Sequence, residues 1–195
     1  MALPEIVIRL PAWVEGFVAG LPARVPQPAD RLRIAIELAR RNVENRTGGP
    51  FGACVFDSDG HLVAPGVNLV VASACSILHA EIVALALAQR FTGRFDLSAG
   101  GRYGFELCAS AEPCAMCFGA IPWSGVTRLV CGARDADARA AGFDEGAKLP
   151  DWAAVLAARG IEVVRDVLRT EAAAVLRRYA AAGGVIYNAG ACRDI

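Results

Sequence analysis

The chain has 195 residues and a formal net charge of zero, because its 20 basic residues balance its 20 acidic residues. Hydrophobic residues make up 55% of it and charged residues 21%, which is typical of a globular chain and excludes a disordered one. The balanced charge argues against nucleic acid as a partner. No apolar run reaches the roughly 18 residues that a membrane-spanning helix requires, so we expect no membrane association.

The N-terminal residues 1–28 are rich in proline, and we predict an irregular extension with a short helix at Ala12–Ala19. Residues 29–195 contain no linker and no internal repeat, so their length predicts a single domain. This domain includes a C-terminal helix and a tail that could form a lid. Its first helix is predicted over Asp30–Asn45, where apolar residues recur at helical spacing, and a Gly-Pro break at 47–50 follows.

The rest of the chain alternates between strand and helix patterns. The predicted strands are Phe51–Phe56, Leu62–Val71, Phe105–Ala109, Thr127–Gly132 and Ile161–Val164, the first two joined as a hairpin. The first predicted helix of this part begins at Ser76 or His79 and ends near Arg90. Three further helices are predicted over Pro113–Trp123, Trp152–Arg159 and Thr170–Ala182. Five strands alternating with helices predict an α/β protein, a three-layer α/β/α sandwich around a mixed five-stranded sheet.

Seven cysteines are present, and their odd number and irregular spacing do not resemble a secreted disulfide framework. We therefore expect a reducing compartment, the cytoplasm. Pro4 and Pro11 interrupt the apolar stretches at the N-terminus, which argues against a signal peptide. Five cysteines are interpreted as small packing residues: Cys54, Cys75, Cys108, Cys131 and Cys192.

The most informative pattern is His79-Ala80-Glu81 followed by Pro113-Cys114-Ala115-Met116-Cys117. It supplies one imidazole, two thiolates and one free carboxylate. Three protein ligands would leave the fourth position of a zinc ion open, which is typical of catalytic sites rather than closed structural ones. The spacing, H-x-E followed by P-C-x-x-C, is the signature of zinc nucleobase deaminases.

Spacing alone brings the two cysteines of this motif together, but it does not bring Glu81 to His79. Cys114 follows a proline that favours a helix start, where a thiol has a lowered pKa, and Cys117 lies on the same side of that helix. His79 and Glu81 are two residues apart and would not face each other in a regular helix, so a helix start or a loop is needed. The alternative is a structural zinc knuckle or two unrelated buried thiols. A structural knuckle needs a fourth protein ligand, and none is evident. Neither alternative explains the carboxylate of Glu81, which stands where a proton carrier is needed.

Beyond the motif, the chain resembles the cytidine deaminase superfamily and, more narrowly, its bacterial guanine deaminases. The resemblance rests on Pro50-Phe51-Gly52-Ala53, Gly66-Val67-Asn68, His79-Ala80-Glu81, Glu112 to Cys117, Gly119 to Trp123 and Gly142-Phe143-Asp144-Glu145. The closing Gly184-Val185-Ile186-Tyr187-Asn188 is similar to a subgroup that deaminates guanine and the triazine ammeline. A homodimer with sites near its interface is implied as well.

The resemblance implies a role for each matching residue. Zinc would be held by His79, Cys114 and Cys117, and Glu81 would carry a proton from water to a ring nitrogen. Glu145 would help to protonate the leaving amino group. The substrate contacts would come from Phe51, the Ala53 backbone, Asn68, Trp123 and Tyr187.

Each assignment has a simpler alternative. Glu145 could be a solvated turn residue, Asn68 a turn residue, and Phe51 and Trp123 core aromatics. Tyr187 and Asn188 belong either to a frayed tail or to a segment 185–195 that covers the pocket. Asp144 is expected to shape its turn.

Three other functions compete with guanine deamination. A nucleoside deaminase acting on guanosine would need room for a ribose, and a tRNA adenosine deaminase would need a basic surface for phosphate. A zinc-stabilised binding module would have no use for Glu81. The expected small-molecule partner is a purine or triazine base.

Overall fold

The computed structural model describes residue 3 and residues 5–98, 104–188 and 190. Cys192 lies outside the described residues. In chain order the elements are α1 (Ala12–Ala19), α2 (Pro28–Glu44), β1 (Gly52–Phe56), β2 (Leu62–Val67), α3 (Ala80–Thr92), β3 (Glu106–Ala111), α4 (Ala115–Ser124), β4 (Arg128–Ala133), α5 (Asp135–Ala140), α6 (Trp152–Ala157), β5 (Glu162–Val164) and α7 (Arg169–Ala181).

The five strands form one mixed sheet in the order β2-β1-β3-β4-β5. β1 is antiparallel to both of its neighbours, whereas β3, β4 and β5 run parallel to one another. The parallel strands therefore end at a common edge, and the residues that follow them lie close together.

Alternating side chains of the central strands point into two separate cores. In β1, Cys54 and Phe56 join the core formed with α1, α2 and α7, whereas Ala53 and Val55 join the core formed with α3, α4 and α6. This period of two follows from the pleat of the strand. The predicted three-layer α/β/α sandwich with a mixed five-stranded sheet is confirmed.

The boundaries differ from the predicted ones in two informative places. β2 ends at Val67 rather than Val71, because the chain turns at Asn68 and the Leu69 amide bonds to the carbonyl of Leu78. The short helix α5 was not predicted, since its six residues are mostly polar and show no apolar period. It is stabilised at its N-terminus by the Asp137 carboxylate, which accepts a hydrogen bond from the Arg134 backbone amide at 2.8 Å.

The sheet brings two helix N-termini together. α3 and α4 pack on the same side of the sheet and contact each other. Their first residues follow directly on the halves of the His-Cys-Cys motif. Within the described parts of the chain, none of the helices is both long enough and apolar enough to cross a bilayer.

Candidate functional site

The three predicted metal ligands meet at the N-termini of α3 and α4. His79 is the N-cap of α3 and Cys114 is the N-cap of α4, and both have extended backbone conformations. The His79 Nδ1 atom lies 3.5 Å from the Cys114 sulfur and 3.7 Å from the Cys117 sulfur. All three donor atoms fall within 4.8 Å of one another. One imidazole and two thiols at this separation fit a tetrahedral zinc ion with one position left open.

The two thiols share one negative charge. A hydrogen bond from Cys117 and a second one from His79 lower the pKa of Cys114 to about 4, whereas the hydrogen bond to Cys114, together with burial, raises the pKa of Cys117 well above its usual range. Burial opposes protonation of His79, but its hydrogen bond to Cys114 and the charge of Glu81 outweigh burial and raise its pKa. The site therefore concentrates negative charge, which favours binding of a divalent cation.

Glu81 stands beside the metal ligands at the start of α3. His79 is the N-cap residue, with an extended backbone, and Glu81 lies in the first turn of α3. Both line the same cavity although they are two residues apart. Glu81 is only 8% exposed. Burial, together with the negative charge of Cys114, raises its pKa to about 6. A carboxyl group with that pKa can both accept and donate a proton near neutral pH.

Glu145 lies in a loop that is fastened to the metal-binding segment. Its backbone carbonyl accepts a hydrogen bond from the Ala115 amide, the first residue of α4, at 2.9 Å. The side chain is 5% exposed, so it is not the solvated turn residue of the alternative interpretation. Burial, then the charges of Cys114 and Glu81, raise the pKa of Glu145 to about 8. Asp144 shapes the turn as expected, because its carboxylate accepts from the Gly146 amide.

A cavity of about 310 Å³ opens directly beside these groups. Its volume lies at the lower end of the range for small-molecule sites, which suits a compact ligand. The residues that line it include both carboxylates, two of the three metal ligands and a set of aromatic side chains: Phe51, His79, Glu81, Cys114, Phe143, Glu145, Tyr187 and Asn188. The surroundings thus combine flat apolar surfaces with groups able to transfer protons.

Aromatic rings form one wall of the cavity. The rings of Phe51 and Phe143 meet edge to face with centroids 4.9 Å apart, and Phe143 lies 5.4 Å from Tyr187. Such rings bind a planar ligand over a large apolar area. Phe143 was not among the predicted contacts, although it belongs to the Gly142 to Glu145 segment that carried the resemblance. From the sequence alone, an apolar phenylalanine at this position is expected to be a core residue. In the structure it is 5% exposed.

Two buried polar atoms near this wall have no protein partner among the described residues. They are the Asn68 Nδ2 atom and the Tyr187 hydroxyl oxygen. Asn68 is fully buried, and its Oδ1 atom accepts from the Val70 amide at 3.3 Å. Both residues approach Gly49, where an added Cβ atom would lie 2.9 Å from the Tyr187 oxygen and 3.3 Å from Asn68 Oδ1. Buried polar atoms are normally satisfied, so these two indicate a polar ligand.

Two predicted substrate contacts lie elsewhere in this chain. Trp123 is 82% exposed near the end of α4 and lines a different surface depression together with Phe95. Within one chain Trp123 is therefore not part of the cavity lining, since eight residues of α4 lie between it and Cys114, and its contact with substrate stays a prediction. Ala53 is fully buried inside β1, pairs with Gly66 and Ala109, and is not part of the cavity lining.

The C-terminal tail is bound to the loop that carries Glu145. The Asn188 side-chain oxygen accepts from the Asp144 amide at 2.8 Å, and its nitrogen donates to the Gly142 carbonyl at 2.9 Å. Tyr187 and Asn188 line the cavity, and Tyr187 is half-buried there. The predicted covering segment extends to residue 195, but residues 189 and 191–195 lie outside the described part of the chain.

Lys148, the chain's single lysine, fixes the outer side of the metal-binding segment. Its ammonium group donates to the Pro113 carbonyl at 3.0 Å and pairs with Asp135 at 3.1 Å. The neighbouring Glu112 carboxylate accepts from the Arg165 side chain and from the Asp135 amide. Nothing in the local sequence pattern points to Lys148, since its partners are distant in the chain.

Comparison with known families identifies the motif. Residues 27–133 match the family described as the cytidine and deoxycytidylate deaminase zinc-binding region. The chain belongs to this family. The match contains all three metal donors, Glu81, Phe51 and Asn68, whereas Glu145 and Tyr187 lie C-terminal to it.

Individual relatives of this deaminase extend the similarity over nearly the whole chain. The guanine deaminase of Bacillus subtilis (strain 168) is 38% identical over 114 residues, which cover 58% of this chain and 69% of that protein. The structure of NE0047 in complex with 2,6-diaminopurine is 49% identical, covers 94% of this chain and 96% of that one, and superposes with a TM-score of 0.85. A guanine deaminase structure from Nitrosomonas europaea is 46% identical, with coverages of 91% and 97% and a TM-score of 0.85.

These findings confirm three predictions. The chain is a deaminase, it has the cytidine deaminase fold, and its resident cofactor is zinc. As a member of this family it is a hydrolytic aminohydrolase, and a non-catalytic zinc-stabilised module is excluded.

Proposed function

We propose that this protein converts guanine and water to xanthine and ammonia. One observation carries the proposal: two buried carboxyl groups, Glu81 and Glu145, lie beside a three-donor zinc site on a cavity sized for a single purine ring system. Relatives described as guanine deaminases, and one bound to a diaminopurine, support the choice of base.

The ligand set and the proton carriers have separate tasks in this proposal. His79, Cys114 and Cys117 hold the zinc ion, which supplies an activated water as nucleophile at neutral pH. Glu81 accepts a proton from the attacking water and passes it to a ring nitrogen of the base. Water oxygen bonds to C2 of guanine, and the bond from C2 to the exocyclic nitrogen breaks.

Glu145 delivers a proton to the departing nitrogen. An amide anion is far too basic to leave, so the amine must be protonated before the bond breaks. Burial raises the pKa of Glu145, which favours the protonated form that this step requires. A second carboxyl group makes this delivery independent of the proton that Glu81 has already moved. The other hydrogen of the attacking water leaves as the C2 hydroxyl becomes the carbonyl of xanthine, and it restores the proton to Glu145.

Base recognition falls to the aromatic wall and the unpaired polar atoms. Phe51, with Phe143 behind it, packs on the flat ring, and Tyr187 closes the cavity from the tail. The Asn68 amide and the Tyr187 hydroxyl bond to polar atoms of the base, which would satisfy both of them. A contact from the Ala53 backbone, near the start of β1, stays a prediction, because Ala53 is not part of the cavity lining.

The second substrate we propose is ammeline, a planar triazine that also carries an amino group on a ring carbon.

Two rival activities have less support than the deamination of a free base. The rival guanosine-type activity requires space for a ribose, and Tyr187 and Asn188 of the tail take up part of the lining of a cavity of about 310 Å³. The rival action on tRNA requires a surface for phosphate groups, and a chain with no net charge offers little attraction for one.

An ammonia-release assay over guanine, guanosine, ammeline, adenine, cytosine and cytidine tests the substrate. We expect release from guanine, with weaker release from ammeline and none from guanosine. Glu81→Gln serves as the control, because the amide cannot accept the proton and turnover should fall by about 10²–10⁴ with zinc retained. Activity on guanosine alone would overturn the proposal.

The structure also supports a homodimer in the cytoplasm. Phe91, Phe95 and Trp123 are 79%, 87% and 82% exposed on the side of α3 and α4, which is unusual for large aromatic side chains. A second copy of the chain would cover them.

The six cysteines within the described residues are free thiols, which fits a reducing compartment. We retain the division into an extension, residues 1–28, and one domain, residues 29–195.

A further inference from the structure

A chain of hydrogen bonds joins the N-terminal helix to the wall of the base pocket. The Trp13 indole nitrogen on α1 donates to the Thr47 hydroxyl oxygen at 3.0 Å. That hydroxyl donates to the Asn42 Oδ1 atom at 2.8 Å. The Asn42 Nδ2 atom in turn donates to the carbonyls of Gly49 and Asn68, at 3.0 and 2.9 Å. Asn42 is on α2 and is fully buried, and each end of its amide has a partner.

The direction of the Asn42 amide matters because its two ends differ chemically. Only the nitrogen end can donate to the two carbonyls, and a flipped amide would place its oxygen against both of them. The Thr47 hydroxyl selects the correct orientation by donating to Oδ1. Trp13 donates to the oxygen of the same hydroxyl, which directs the hydroxyl proton towards Asn42. The N-terminal helix thereby determines which way a buried side chain points.

The two carbonyls belong to the segments that carry the base contacts. Gly49 precedes Phe51 by two residues, and its carbonyl also accepts from the Phe51 amide at 2.9 Å. The Asn68 amide donates to the Phe51 carbonyl at 3.1 Å, so the segments are paired. The chain passes very close at Gly48, where an added Cβ atom would lie 2.0 Å from the Asn68 carbonyl. Asn42 thus holds the backbone of Asn68, whose side-chain Oδ1 atom accepts from the Val70 amide. The Asn68 Nδ2 atom has no partner among the described residues and is available to a ligand.

The helix α1 is itself firmly held, so it can act as a support. Val14 is 1% exposed in the core beneath it, and the Phe17 ring packs under the guanidinium of Arg41 at 4.7 Å. When a rigid outer element fixes the position of a binding segment, that segment loses less conformational entropy on binding its ligand.

We propose that Trp13, Thr47 and Asn42 form a positioning relay that holds Asn68 and Phe51 in the geometry that binds the base. This assignment rests on the proposed function and gives the N-terminal extension a part in it. The three residues touch neither the metal donors nor the carboxyl groups. The relay should therefore govern affinity for the base and leave the chemical step unchanged.

The test compares Thr47→Val and Trp13→Phe with two controls. Thr47→Ser keeps the hydroxyl, and Thr92→Val removes a comparable hydroxyl that bonds to the Ala88 carbonyl at 2.8 Å at the end of α3. We expect KM for guanine to rise about fivefold or more in Thr47→Val and about twofold in Trp13→Phe, with kcat and zinc content at parental values. Both controls should match the parent.

Hydrogen exchange provides a readout that does not depend on guanine. Amides of residues 47–51 and 68–70 should exchange about tenfold faster in Thr47→Val than in the parent or in Thr92→Val. Unchanged KM together with unchanged exchange would overturn the relay, and so would a loss of zinc or of kcat at constant KM. If the parent itself releases no ammonia from guanine, the proposed function fails, whereas the exchange data still decide whether the relay holds these segments.

Discussion

At the scale of single residues, the site places ionisable groups where burial makes their charged forms costly. Glu81 and Glu145 are 8% and 5% exposed, and burial raises the pKa of both. Buried carboxyl groups with raised pKa values are typical of functional sites, because they supply protons at neutral pH at the expense of stability.

Glu145→Gln should separate the stability that is lost by burying an ionised carboxyl group from the proton transfer that this group provides. With zinc retained, kcat should fall by about 10²-fold, because the amide has no proton to deliver to the leaving nitrogen. In the zinc-free protein the same change should raise Tm at pH 8. The folded pKa of about 8 exceeds the ordinary value of 4.5, so the parent loses stability as pH rises between those values.

The sign of this effect is checked by repeating the melts at lower pH. The Tm difference between Glu145→Gln and the parent should shrink towards pH 5, where the carboxyl group is protonated in both folded and unfolded chains. Glu15→Gln, on the exposed face of α1, is the matched control and should show no such trend. A Tm difference independent of pH would mean that Glu145 does not titrate in this range.

The ligand assignment has an equally direct test. Cys117→Ser should lower bound zinc from about one ion per chain to a small fraction of that, because a serine hydroxyl is a poor zinc ligand. Cys75→Ser, at a partly exposed cysteine outside the site, should keep the parental zinc content. Mass spectrometry under native conditions measures both, and full occupancy of Cys117→Ser would remove Cys117 from the ligand set.

At the scale of elements, the site is assembled from helix N-termini, one loop and the tail. Helix starts with extended N-cap residues place His79 and Cys114 together, and that local geometry was open to prediction from the motif. The tail was not predictable in the same way. Its position depends on the hydrogen bonds of Asn188 to the Gly142 to Asp144 segment, two partners that are more than forty residues away in the chain.

The contact of the tail with the base-binding loop gives a prediction at Gly49. A methyl group there would lie 2.8 Å from the Tyr187 ring, so Gly49→Ala should displace Tyr187 from the cavity. We expect KM for guanine to rise about tenfold while zinc content is unchanged. Steady-state kinetics measures this, with Gly16→Ala as the control because its methyl group would meet no atom within 4 Å. Parental KM in Gly49→Ala would show that Tyr187 is only a packing residue.

At the scale of the whole molecule, three large aromatic side chains on the α3 and α4 side, Phe91, Phe95 and Trp123, are exposed to solvent. Phe95 and Trp123 line one shallow depression there. Trp123 was predicted to contact substrate, and within one chain it faces solvent instead. Its position is better explained by an intermolecular contact, in keeping with the proposed homodimer.

Trp123→Glu should convert the proposed dimer to a monomer, because a carboxylate buried at an apolar interface would lack a partner. Sedimentation velocity of the parent and the variant measures the change. Ile6→Glu is the control, since Ile6 is 72% exposed in the segment before α1, which packs on the other face of the sheet. A parent that sediments as a monomer would contradict the dimer, and a dimeric Trp123→Glu would place its interface elsewhere.

The sequence by itself determined the chemistry of this protein. Zinc, its donor set and the adjacent carboxyl group follow from short motifs at residues 79–81 and 113–117, because ligand identity and helix-start geometry are local properties. The order of strands and helices also follows from local apolar periods, apart from the polar helix α5. The tertiary structure alone decided that Phe143 stands behind Phe51, that Tyr187 reaches Gly49, and that Trp123 points away. Those outcomes depend on packing between segments far apart in the chain, and no local pattern encodes them.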